Sequence, residues 1–334
     1  MPRSLFQLAS SNSTAARAPL GPARRWQPLP GCEDWSARIR QSEALFSLDR
    51  DATELCAHLA TAGAHTLARC LEAVRLPATD FWLEWPEAPR RALQAEHAGG
   101  ANASAHKARI VGVHVTCDET QRRGELRSFW ADPADRRASC SPFVTEFDLD
   151  APAAEYRHGP FPRRYEARNS RFAPEIVRHA SFVMTDAWHR YYAQRFPREP
   201  DYRMAATRLI AAVASDLPMV IAFATLLMAR GARGAEAAHL GNQSRHSDGR
   251  RRPQLASVSL DLLGMGAGDE SERAGAGSGH ARRLHFVRGH PVRRGSLIYW
   301  RSPHLRGRAE LGSSPAPLRR VRVGRTQHQQ GGVA

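Results

Sequence analysis

RIVGVHVT, residues 109–116, is the stretch on which the fold turns. Its apolar, β-branched heart, IVGVHV, predicts a strand. Gly124 marks a turn after it, and residues 125–130 then read as a hairpin partner. Further on, residues 143–149 alternate: Phe143, Thr145, Phe147 and Leu149 fall on one face, as in a half-buried strand. On the other side, Phe81-Trp82-Leu83-Glu84-Trp85 reads as a strand ended by Pro86. Four such strands predict an antiparallel sheet with one face packed.

Helical patterns flank the sheet. Leu55, Leu59, Leu67, Leu71 and Val74 recur at helical spacings of four, eight, four and three over residues 51–75. Residues 174–195 carry Ile176, Val177, Phe182, Val183, Trp188 and Tyr191 and read as one helix. Two more are expected over 202–214 and 218–230, joined at Ser215-Asp216, with Pro218 in a first turn. The second is apolar all round and belongs in the core. Residues 255–262 read as a strand. The order helix, strands, helices, strands predicts an α+β class with an antiparallel sheet, without the regular βαβ alternation of a nucleotide-binding fold.

The expected organisation is a disordered basic arm over 1–32, an α+β domain over 33–263 and a flexible insertion over 264–279. A basic β segment over 280–312 then completes the domain, and a disordered tail occupies 313–334. The arm has no acid and carries Arg3, Arg17, Arg24 and Arg25; its apolar part, residues 5–9, is too short for a secretory signal. The longest apolar run, residues 217–229, is too short to span a bilayer. Five scattered cysteines form no CxxC pair, which argues against a zinc ribbon or disulfide framework and for a reducing cytoplasm.

The formal net charge is +15. Residues 280–334 hold twelve arginines and one acid, Glu310, so +11 of it lies there. Lys107 is the only lysine, and such arginine dominance is what GC-rich codon usage produces. The clustering therefore carries the inference, not the count. In HFVRGHPVRRGSLIYWRSPHLRGR, residues 285–308, Arg288, Arg293, Arg294, Arg301 and Arg306 surround His285, His290, His304 and a β-like run with Tyr299. Arginine forks bind phosphate, and an aromatic face stacks a base. If Tyr299 faces out, strand alternation turns Trp300 in. These residues predict a surface for nucleic acid or another polyanion; an acidic protein partner and a solvated basic face remain open.

The run LLMARG at 226–231, a basic loop, a strand and then the segment above resemble uncharacterised proteins of phages, prophages and alphaproteobacteria. Those are α+β chains ending in a similar His-x-Val-Arg-Gly-His and Pro-His-x-Arg-Gly segment. The likeness covers residues 222–307, with 264–279 as an insertion. It implies a cytoplasmic protein of bacterial or phage origin and carries over no catalytic residue.

Enzymatic readings find less. Histidine spacings of five and fourteen match no metal motif, and no metal or other cofactor is expected. An enzyme acting on a phosphorylated substrate would need His285, His290 or His304 as acid–base in one pocket with arginines clamping the phosphate. Asp118, Glu119, Glu146, Asp148 and Asp150 read as hairpin-turn acids. A restriction-type nuclease would want a lysine two residues after one of them, and Lys107 does not supply it. Ser139-Cys140-Ser141 lacks the glycines of a nucleophile elbow, and GMGAG at 264–268 lacks the third glycine of a dinucleotide fingerprint.

Overall fold

The computed structural model describes residues 4–10, 33–97, 110–131, 138–155, 159–166, 172–229, 255–258, 283–287, 290–301, 304–306 and 308–313. In chain order the elements are α1 (Leu5–Ala9), α2 (Glu33–Arg40), β1 (Ala44–Leu48), α3 (Arg50–Ala60), α4 (Ala64–Cys70), β2 (Asp80–Pro86) and α5 (Glu87–His97). Then come β3 (Ile110–Cys117), β4 (Arg123–Ala131), β5 (Ala138–Asp148), β6 (Arg164–Glu166), α6 (Pro174–Val177), β7 (Ala180–Met184), α7 (Asp186–Arg195), α8 (Glu199–Val213) and α9 (Asp216–Met228). The last are β8 (Leu255–Val258), β9 (Arg283–Val287), β10 (His290–Arg294), β11 (Leu297–Arg301), β12 (His304–Arg306) and β13 (Arg308–Ser313).

The α+β class holds. One eight-stranded sheet runs β6-β7-β5-β4-β3-β2-β1-β8. It is antiparallel from β6 to β2, as the four quoted strands predict. It is mixed beyond that, because β1 lies parallel to both β2 and β8. Helices α3 and α4 make the crossover that a parallel β1–β2 pair requires. The alternation of β5 is as expected: Phe143, Thr145, Phe147 and Leu149 are all buried, while Val144, Glu146 and Asp148 are half-exposed.

Cross-strand partners share a face. Phe81, Val115, Leu126, Thr145 and Phe182 form one row, all buried. This face meets α9, whose Phe223 ring lies 5.1 Å from that of Phe46. Residues 216–226 of α9 are all buried, so it is the central helix. Together α8 and α9 form a helical stretch, Glu199–Met228, that by length and composition could cross a membrane; 83% of its apolar window is buried inside the fold.

The opposite face carries Trp82, Glu84, Gly112, His114, Arg127 and Phe129. Helix α1 packs here, within the arm expected to be disordered; residues 11–32 lie outside the described set. Its Leu5, Leu8 and Ala9 are buried. The Phe6 N–H donates to the buried Glu84 carboxylate at 2.8 Å, and the Trp82 indole donates to it at 3.0 Å. Gly112 makes room: a Cβ there would stand 2.5 Å from the Trp82 ring.

Three other expectations are refined. The helix over 51–75 is two helices, broken at Thr61–Gly63. The helix over 174–195 is interrupted by strand β7. The basic C-terminal segment forms five short strands in two small sheets, β10-β11 and β12-β9-β13. The insertion at 264–279 and the tail beyond Ser313 lie outside the described residues.

Candidate nucleic-acid interface

Strands β10 and β11 form a hairpin in the register His290–Arg301, Pro291–Trp300, Val292–Tyr299, Arg293–Ile298 and Arg294–Leu297. The loop is two residues, Gly295 and Ser296, with Gly295 at φ +60°. A glycine with positive φ opening a two-residue loop is the type II′ arrangement, whose twist suits the flanking strands.

An isolated two-stranded ribbon is marginal in water, so this one needs an anchor. The anchoring face carries Pro291, Arg293 and Ile298. Pro291 is buried, and Ile298 is 3% exposed and joins the main core. Arg293 forms a salt bridge to Glu72, just past the end of α4, and donates to the Gly295 carbonyl at 2.7 Å. The opposite face carries Val292, Arg294, Leu297, Tyr299 and Arg301. Arg294, Tyr299 and Arg301 are exposed, with Val292 and Leu297 half-buried between them.

The structure thus brings Arg294, Tyr299 and Arg301 to one face. It turns Arg293 to the other, where Glu72 engages it, because Arg293 shares its ladder position with the buried Ile298. The sequence left the parity of Tyr299 open; the structure puts it on the exposed face. His285 and His304 belong to the other small sheet: Arg306 pairs with His285, and His304 pairs with Val287. His290 pairs with Arg301 in the hairpin. Arg288 lies outside the described residues.

Residues that sequence reasoning missed fix the ground beneath the hairpin. Arg122 is 5% exposed. It donates to the carbonyls of Leu71, Glu72 and Val74 at 2.8–3.1 Å, to Leu149 at 3.2 Å, and to the Asp150 carboxylate at 2.6 Å. Arg75 also donates to the Glu72 and Val74 carbonyls, so two guanidiniums share the carbonyls left open after α4. The same segment carries Glu72, which holds Arg293.

A second buried network lies between α5, α9 and β4. Arg90 donates to Glu87 at 2.9 Å and to Asp216 and Ser215, and Ser128 donates to Asp216 at 2.6 Å. Burial pushes the Asp216 carboxyl above the usual carboxylate range, against the pull of Arg90. Burial alone would depress the Arg90 guanidinium, but Glu87 and Asp216 raise it above its ordinary value. A cavity of about 40 Å³ adjoins this network. That is water-sized space, well below the ~300 Å³ of a small-molecule pocket. The only advance signal was the Glu87–Arg90 spacing of three on a helix.

Four of the five acids weighed for a nuclease have partners within the chain. Asp118 accepts from the Thr120 hydroxyl at 2.6 Å, which helps hold its carboxyl below the usual range. Glu146 pairs with Arg164, Asp148 with Arg123, and Asp150 with Arg122. Among the described residues no three His, Cys, Asp or Glu side chains are grouped to hold a metal ion. Cys56, Cys70 and Cys140 are buried. Burial, reinforced by Asp118, pushes the Cys117 thiol up to about 12. Such thiols stay protonated at neutral pH and are poor nucleophiles.

No protein-family model matches the chain, and no curated protein or solved structure matches it.

Proposed function

We propose that this is a cytoplasmic, phage- or prophage-type protein that binds nucleic acid through the outer face of the β10–β11 hairpin. One observation carries the reading. The hairpin divides its residues by face, so that Pro291, Arg293 and Ile298 hold it to the body while Arg294, Tyr299 and Arg301 stand in solvent. Two exposed guanidiniums beside an aromatic ring suit phosphate and base together. The surrounding excess of arginine would raise the local concentration of a polyanion and hasten its capture.

The test is binding of labelled single-stranded and duplex oligonucleotides by the wild type and by Arg294→Glu/Arg301→Glu. Both side chains are exposed, so the variant keeps its fold by circular dichroism. The reading expects salt-dependent binding that the variant loses at least tenfold. Equal binding by the two proteins sinks it. Capture of an acidic protein after nuclease treatment, with no oligonucleotide binding, would replace nucleic acid by a protein partner.

A further inference from the structure

We infer that Tyr299 is a stacking platform for an unpaired base, so that the hairpin face takes single-stranded nucleic acid in preference to duplex. This rests on the nucleic-acid reading of the face and adds to it the form of the ligand. Three large apolar side chains are exposed among the described residues, Met204, Met228 and Tyr299, and Tyr299 is the one aromatic. Its neighbours give the ring a direction of use. On β11, Arg301 follows two residues later on the same face, about 6.7 Å along the strand. On the other side, the Arg294–Leu297 pair occupies the next row of that face. The ring therefore stands between two exposed guanidiniums along the hairpin axis, with half-buried Val292 directly opposite and Leu297 beside it.

The chemistry of that strip is specific. Arginine neutralises phosphate in any nucleic acid. A side-chain ring adds affinity only where a base face is open, and in a duplex each face is covered by the neighbouring pair. One aromatic between two cations fits a backbone that passes over the ribbon and lays one base on the ring. The alternative for Tyr299 is cross-strand packing on Val292, which would stabilise the hairpin and leave the ligand unaffected. The two roles separate experimentally, because leucine keeps apolar packing and loses the ring.

The test uses the full chain and two labelled strands of equal length, an ordinary single-stranded oligonucleotide and an abasic sugar-phosphate strand. The inference predicts that the wild type binds the ordinary strand roughly tenfold more tightly than the abasic one, in keeping with one base–aromatic stack. Tyr299→Leu should erase that preference and leave abasic binding unchanged, while Tyr299→Phe should retain it. Duplex affinity should not respond to Tyr299→Leu. Equal wild-type affinity for the two strands, or a preference that survives Tyr299→Leu, overturns the stacking role but leaves the arginine face standing. If neither strand binds, or binding ignores Arg294→Glu/Arg301→Glu, the nucleic-acid reading itself falls.

Discussion

Arg293 and Arg294 are neighbours in the chain and opposites in the fold. The first faces Glu72 and the body, and the second faces solvent. Their substitutions should therefore separate. Arg293→Ala removes a half-exposed ion pair, for which about 0.5–1 kcal/mol is a fair expectation. Hydrogen exchange should show faster exchange of the hairpin amides in that variant, whereas Arg294→Ala should leave exchange unchanged and weaken oligonucleotide binding. The sequence offered both arginines on equal terms; only the register with Ile298 tells them apart. Glu84 was readable as part of a strand but not as a buried carboxylate. Burial raises its pKa despite donors from Phe6 and Trp82. The folded state then holds this proton more tightly than the unfolded chain. Stability from this group is full below the ordinary value of 4.5 and is lost as pH rises through the raised one. Glu84→Gln should remove that loss. Urea midpoints from about pH 4 to about pH 8 should move in the variant's favour as pH rises, and a constant difference would contradict the assignment.

At the scale of elements, the hairpin depends on what lies beneath it. Arg122 ties down the segment after α4, and that segment carries Glu72. Arg122→Ala would remove five hydrogen bonds, to the Leu71, Glu72, Val74 and Leu149 carbonyls and the Asp150 carboxylate, and leave Glu72 and Val74 to Arg75. A loss of about 3 kcal/mol is expected, measurable by urea denaturation, with the hairpin amides exchanging faster than the β3–β4 ladder. The elements most visible in sequence were those with strong local patterns: β2, β3, β4, β5, α8 and α9. Strand β1 was missed because five residues paired in parallel with β2 and with the distant β8 leave no local mark. Strand β7 was hidden inside a helical pattern, since Ala180–Met184 is apolar except for Ser181 and periodicity alone does not tell a short buried strand from a helix. Helix α1 was hidden by its composition: five residues are too few for a periodic signal, and their order comes from Glu84 and the space at Gly112.

Across the whole molecule, charge is handled in two ways. Inside, Glu87, Arg90 and Asp216 close on one another beneath the sheet with Ser128, where every charge has an opposite partner. Removing Asp216 leaves Arg90 paired with Glu87 but takes the acceptor from the buried Ser128 hydroxyl, so Asp216→Ala should cost about 1–3 kcal/mol in a thermal or urea melt. At the C-terminal end the arginines of residues 280–334 meet a single acid in their own segment, and the hairpin directs two of them outward. That excess was plain in the sequence, whereas alternation alone linked Tyr299 and Trp300 without saying which faces out. Which arginines serve the fold and which serve a ligand depended on the placement of Glu72 and Ile298. The most direct measurement is the salt dependence of single-strand binding for the wild type, Arg294→Ala/Arg301→Ala and the exposed control Arg208→Ala. Each phosphate contact contributes about 0.7 to the slope of log affinity against log salt. The account predicts a slope smaller by about 1.4 in the double variant and unchanged in the control. An unchanged slope in the double variant would place the anion contacts elsewhere and contradict the assignment of this face.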